Sequence, residues 1–318
     1  MSKDLNEDSK NIAQEEIKDS AVPQEDESDN GQKKSGRRKV LSALRYILII
    51  ILLCIIVYEA YSIYTEESER ARAVKDYEEL ETDVVMAIPE PEKKYAIFDD
   101  YTEEGAVSED IEFPRLYVNN DLLESSNSDY IGWIYWDFDV VDDKYDFTLN
   151  YPIVKENSKD EYLHLTYDRQ KNSAGCIFMD LASNEYFEGY SDFLFGHNMR
   201  NGSMFGSLDG IYKTTDKDTL EKEPLYVYIY TKDAVFQYVV YAYERTQSGN
   251  PDVYGVIAND EAYDAYVSRM KKLGSYKCPI DVSFDNRPEI LNLSTCSGPA
   301  GTSSRLVIHL VKIRTFIG

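Results

Sequence analysis

The chain has 318 residues and a formal net charge of −24, room for a tail, a membrane segment and one domain of roughly 200 residues. No basic stripe follows the apolar segment, which argues against a nucleic-acid partner. Four cysteines without dense spacing do not make a disulfide framework.

The 27 Tyr outnumber 12 Phe and 2 Trp, a bias that suits half-buried strands. The acidity reads as a solvated surface. No twelve-residue Asp/Asn/Gly/Glu loop suggests calcium, and no paired Cys/His spacing suggests zinc, so neither metal nor cofactor is expected.

Residues 1–39 form an acidic, Asn- and Ser-rich tail expected to be disordered, with a basic end at Lys33, Lys34, Arg37, Arg38 and Lys39. Residues 46–58 read YILIIILLCIIVY, and residues 40–60 give about the length of a spanning helix. Arg45 can snorkel from near its end. Tyr58, Glu59 and Ala60 do not make a cleavage site, so an uncleaved single-pass anchor is expected. The positive-inside rule puts the N-terminus in the cytoplasm and the rest outside the cell. Residues 61–112 read as an extracellular stem. It starts as a charged helix and is semi-rigid near Pro89 and Pro91.

Residues 113–318 read as a mostly β domain. A short helix over DLLESSNS precedes strands at Ile131–Trp136, Tyr151–Val154, Tyr162–Leu165, Gly175–Asp180 and Asp192–His197. Further strands are expected at Leu225–Thr231, Ala234–Thr246, Ile290–Thr295 and Arg305–Arg314, with Asp233 in a hairpin turn. Glu261–Leu273 puts Tyr263, Tyr266, Val267 and Met270 on one helix face, and Gly274 stops it. The sum is a β-barrel or closed sheet with peripheral helices.

Three residues have the types and positions for acyl transfer. His197 ends an apolar strand in DFLFGHNMRNGSMFGSL, where a rigid scaffold can present a reactive group. Cys296 closes a strand before a Gly/Pro/Ser loop, and Arg305 opens the next. A nearby imidazolium or guanidinium favours the thiolate that nucleophilic attack requires. A guanidinium can also hold a developing oxyanion. His164 and His309 lie in strand patterns and read as packed or edge histidines. Cys176 reads as core and Cys278 as a loop thiol, and their pairing is open.

The His and Cys/Arg segments, DFLFGHNMRNGSMFGSL and LNLSTCSGPAGTSSRLVIHLVKI, resemble those of sortases, class B in particular. GWIYWDFDVVDDKYDFTLNYPIVKENSKDEYLHLTYD followed by SAGCIFMD resembles the first strands of that class, and a helix between the two strands before Cys296 is one of its habits. The resemblance covers about residues 115–314. It implies a closed eight-stranded barrel that cleaves a C-terminal sorting motif of surface proteins after Thr. It further implies a thioacyl enzyme and transfer to a peptidoglycan or lipid-linked precursor amine. By the same resemblance Cys296 is the nucleophile, His197 the general acid/base and Arg305 the substrate-positioning or oxyanion-stabilising group. Ser294 and Thr295 would line the groove and Asn198 would neighbour the histidine. The turn-rich loop with Gly298, Pro299 and Gly301 could alter which motif fits. A pilus-assembling transpeptidase and a membrane-anchored cysteine protease using water are the alternatives.

Overall fold

The computed structural model describes residues 28–88, 96–99, 111–138, 147–213, 222–274, 276–297 and 301–318. The chain divides into two units, residues 1–62 and 63–318. Helix α1 (Ser28–Val84) runs through the boundary. In the first unit its side chains from Val40 to Tyr61 are exposed and largely apolar. Among the described residues it is the helix long and apolar enough to cross a membrane. Residues 1–27 of the expected disordered tail lie outside the described residues, and residues 28–39 are helical, as the start of α1.

The second unit opens with the rest of α1, where Ala73, Tyr77 and Val84 are buried and Leu80 packs against the same core. Their spacing of four, three and four residues aligns them along one helical face. The sequence places this stretch in a stem; its inner face is in fact part of the domain core. The Pro89–Pro91 part of the expected stem lies outside the described residues. Two short strands follow, β1 (Val85–Ala87) and β2 (Ala96–Asp99). Strand β3 (Leu116–Val118) pairs with β1, and α2 (Asn120–Ser126) starts where the Asn119 side chain accepts from the Leu122 amide at 3.2 Å.

The barrel strands are β4 (Tyr130–Phe138), β5 (Phe147–Lys155), β6 (Ile177–Met179), β7 (Ser191–Phe195), β8 (Tyr226–Tyr230), β9 (Val235–Gln247), β10 (Ile290–Cys296) and β11 (Ser304–Ile317). Their order is β10-β7-β6-β5-β4-β8-β9-β11, and pairing of β11 with β10 closes the ring of eight. Strand β2 extends β11 at its far end. The Thr231 amide and Ala234 carbonyl close the expected hairpin turn at 2.9 Å, with Asp233 inside it. Trp133, Leu149, Ile153, Ile177, Leu293 and Ile308 belong to the main core. Closure removes the exposed sheet edges that would otherwise template aggregation.

Helix α3 (Asp209–Lys213) lies between β7 and β8, and two helices sit between β9 and β10. The Asn250 side chain caps α4 (Pro251–Tyr254), with Pro251 at the first helical position, where its missing N–H costs nothing. The Asn259 side chain caps α5 (Asp260–Leu273), which has Asp260 and Glu261 in its first turn and Lys271 and Lys272 in its last, matching the helix dipole. Tyr263, Tyr266, Val267 and Met270 are its buried face, packed with Val239, Ile290, Val307 and Val311 in a second core. Gly274 ends α5 without a left-handed turn, at φ −63°. A Cβ there would lie 2.8 Å from Ala242 Cβ and 2.9 Å from the Met270 carbonyl, so close approach is what selects glycine.

One expected strand is absent. Tyr162–Leu165 holds a 3-10 turn over Glu161–Leu163 and a single bridge from Leu165 to Lys171. The Tyr162 hydroxyl donates to Asp129 at 2.7 Å, and Asp160 enters the turn at φ 60°. The apolar residues mimic a strand, but the loop folds back on itself instead of finding a partner strand. His164 consequently lies at the end of this turn and is exposed.

Candidate active site

Strands β7 and β10 run parallel, with Ile290 opposite Ser191 and Ser294 opposite Phe195. Hydrogen bonds continue past the last pair. Gly196 N donates to the Ser294 carbonyl at 3.3 Å, Thr295 Oγ1 to the Gly196 carbonyl at 2.8 Å, and Asn198 Nδ2 to the Cys296 carbonyl at 2.6 Å. His197 therefore lies two residues beyond Phe195 and Cys296 two beyond Ser294, on chains held side by side. Adjacent strands are about 4.8 Å apart. On the other side, Cys296 pairs with Arg305 and Arg305 with Thr246. The topology thus gathers Cys296, His197 and Arg305 at one end of three neighbouring strands.

Cys296 is exposed, and His197 and Arg305 are half-buried. His197 Nε2 is 2.7 Å from the Leu163 carbonyl. A carbonyl only accepts, so Nε2 carries the hydrogen, and Nδ1 of the neutral ring is left as the proton-accepting atom. Burial pushes the His197 pKa below its ordinary 6.5, helped by the charges of His164 and Arg70 and opposed by the Leu163 carbonyl. The His164 ring is 6.1 Å from that of His197. Arg305 Nη1 donates to its neighbour, the Ser304 carbonyl, at 3.0 Å.

Ser294, Thr295 and Asn198 each have a hydrogen-bond partner within the protein. Thr295 is buried on the face opposite to Cys296, because side chains alternate along a strand, and it ties β10 to Gly196. Ser294 shares the Cys296 face but is fully buried, with its hydroxyl 2.9 Å from that of Tyr254. Asn198 braces the Cys296 carbonyl and donates to Asp209 Oδ2 at 3.2 Å. Tyr254 and the Leu163 carbonyl are the neighbours that sequence reasoning missed. Tyr254 is one tyrosine among 27, and a backbone carbonyl leaves no residue-type signal.

The four cysteines are free, Cys176 and Cys278 included. Burial pushes the Cys176 thiol up to about 12, which makes it inert beside the exposed Cys296. No metal-binding cluster of His, Cys, Asp or Glu is present among the described residues.

Beneath α5, His309 is fully buried. Its Nδ1 is 2.7 Å from Asn292 Oδ1, and the Asn292 amide donates to Ser191 Oγ and the Asp192 carbonyl, so Nδ1 carries the ring hydrogen. Nε2 faces Glu244 at 3.9 Å. Burial pushes the His309 pKa down to about 3 and that of Glu244 up. Because the folded-state pKa lies below the unfolded one, the stability contributed by neutral His309 is complete above pH 6.5 and is lost as pH falls towards 3. Between pH 7 and 5 the wild type should lose about 2 kcal/mol more than His309→Leu. Urea unfolding followed by the buried Trp133 and Trp136 measures this; equal losses would remove His309 as the cause.

A closed barrel presenting a solvent-facing thiol beside an imidazole and a guanidinium has the parts of a cysteine-dependent acyl-transfer site. The chain belongs to the sortase family: the sortase domain model matches residues 145–312, just over half of its length. It is 30% identical to sortase B of Listeria monocytogenes over 176 residues, 55% of this chain and 65% of that protein, so the match spans a little under two thirds of that relative. With sortase B of Staphylococcus aureus the identity is 23% over 279 residues, 87% of this chain and 98% of that one. Among solved structures, a Staphylococcus aureus sortase B–substrate complex superposes with a TM-score of 0.51 and 23% identity, covering 61% of this chain and 84% of that one. A Bacillus anthracis sortase B superposes with a TM-score of 0.54 and 22% identity, covering 77% and 98%. These likenesses show the class B sortase fold.

Proposed function

We propose that this protein is a membrane-anchored class B sortase. It would cleave a C-terminal sorting motif of surface proteins after Thr and transfer the new carboxyl end to a cell-wall amine. The observation that carries the reading is the meeting of Cys296, His197 and Arg305 at adjacent strand ends of a sortase-type barrel.

In this reading, neutral His197 takes the Cys296 proton at Nδ1, and the thiolate attacks the scissile carbonyl carbon. Arg305 holds the oxyanion of the tetrahedral intermediate. The imidazolium returns the proton to the departing amine, leaving a thioester on Cys296. The acceptor amine attacks this thioester and gives its proton to His197 as the thiolate leaves. Ser294 and Asn198 serve indirectly, through Tyr254 and the Cys296 backbone. The α1 segment of residues 40–60 is the anchor, with the basic flank in the cytoplasm and residues 61–318 outside.

The test is mass spectrometry of the full chain in detergent with peptides ending in Thr-Asn or Thr-Gly and triglycine as acceptor. Triglycine is a reasonable probe because a sortase B complexed with it has been solved. A thioacyl adduct on Cys296 and a transfer product are expected. Cleavage without transfer would point to the protease alternative, and product formation without a Cys296 adduct would remove the nucleophile. Because the His197 pKa lies below 6.5, the acid limb of turnover should fall below pH 6.5. A limb centred above that value would contradict a neutral His197 in the resting enzyme.

A further inference from the structure

Between β5 and β6 the chain makes a loop over residues 156–176, and this loop supplies the Leu163 carbonyl that holds His197 Nε2 at 2.7 Å. The carbonyl cannot drift freely. The flanking backbone is tied inside the loop, with Cys176 N on the Tyr162 carbonyl at 3.1 Å and Asn172 N on the His164 carbonyl at 3.0 Å. Gly175, at φ 64°, lets the two limbs approach; a Cβ there would lie 2.6 Å from the Tyr162 carbonyl and 2.9 Å from that of Leu163.

The loop in turn is clamped by α1. The Tyr77 hydroxyl donates to the Gly175 carbonyl at 2.9 Å and accepts from Tyr167 N at 3.0 Å. One phenol oxygen thus joins two stretches of the loop that carries Leu163. A second tie runs from Asn172 Nδ2 to the Glu69 carbonyl at 3.0 Å, two helical turns earlier. Tyr77 is buried, and its ring meets Tyr151 edge-on at 5.7 Å.

We propose that Tyr77 is a positioning residue for His197. Through the Gly175 carbonyl and the Tyr167 amide it holds the loop whose Leu163 carbonyl fixes His197 as the Nε2–H tautomer, with Nδ1 available to the thiol. This rests on the reading of His197 as the acid/base. Removing the hydroxyl leaves a buried carbonyl and a buried amide without that partner, and the loop must move to find others. The Leu163 carbonyl then no longer selects one tautomer.

The test uses the full chain in detergent with ¹⁵N-labelled histidine; the three histidines, His164, His197 and His309, are assigned with a His197→Gln sample. Wild type should show His197 as a single Nε2–H tautomer. Tyr77→Phe should show mixed tautomers at His197, unchanged signals from buried His309, and a kcat reduced roughly ten- to a hundredfold at nearly constant KM. Asn172→Ala, which removes the Glu69 tie, is the second variant if Tyr77→Phe fails to fold, and should shift the His197 signals in the same sense. A Tyr77→Phe protein that is merely less stable, with wild-type His197 signals and kcat, overturns the proposal. The tautomer readout needs no substrate, so it stands even if no sorting peptide is turned over and the sortase reading itself fails.

Discussion

Cys296→Ala should form no thioacyl adduct and lose turnover by at least about 10⁴-fold, while keeping its fold. The loss is this large because no other cysteine stands at these strand ends, and Cys54 lies in the apolar segment of α1. Cys176 is buried with its thiol pushed up to about 12, and Cys278 is partly buried with its thiol pushed up. The fold should survive because the Cys296 side chain is exposed and fills no core space, so stability should change by no more than about 0.5 kcal/mol. The Cys296 carbonyl, which accepts from Asn198, is untouched by the substitution. Peptide turnover and a thermal melt on the same sample separate the two effects. Turnover within tenfold of wild type would sink the assignment of the nucleophile.

Arg305→Lys should lose turnover by about 10²- to 10³-fold with little change in melting temperature. One guanidinium nitrogen is directed to the Ser304 carbonyl at 3.0 Å. The planar fork leaves other donors for an oxyanion near Cys296, its partner across the strand pair. A lysine ammonium is a point donor on a flexible stem and cannot keep both orientations. The defect should therefore appear in kcat for peptide cleavage, while alkylation of Cys296 by iodoacetamide, which forms no tetrahedral oxyanion, stays within a fewfold of wild type. Loss of both in parallel would mean that Arg305 acts on the thiol and not on the intermediate. Near-wild-type cleavage would leave Arg305 a purely structural residue.

Much of the barrel was readable because its strands have distinctive local patterns. β9 and β11 are long Val-, Tyr- and Ile-rich runs, and the β8–β9 hairpin announces itself by two such runs with Lys232 and Asp233 between. Helix α5 was equally legible, since Asn259, the early acids, the late lysines and the tyrosine face all agree on one helix. The error at Tyr162–Leu165 came from the same rule: an apolar pair around His164 looks like a strand, and only the missing partner strand turns it into a loop. The docked face of α1 did carry a signal, the spacing of Ala73, Tyr77, Leu80 and Val84, but the dense charge between those residues masked it.

The candidate trio could be picked out before folding was considered, since residue type and position at strand ends are local properties. So could the apolar segment, which depends on composition alone. Register and contacts between distant segments arise only on folding. Parallel pairing of β7 with β10 brings His197 beside Cys296, two residues from segments far apart in the chain. Alternation along β10 turns Thr295 to the face opposite Cys296, and the buried Ser294 hydroxyl meets that of Tyr254 on α4. The tautomer of His197 is set by a backbone carbonyl 34 residues earlier in the chain. No residue code records such a contact, because it is made by peptide groups whose positions exist only once the chain has folded.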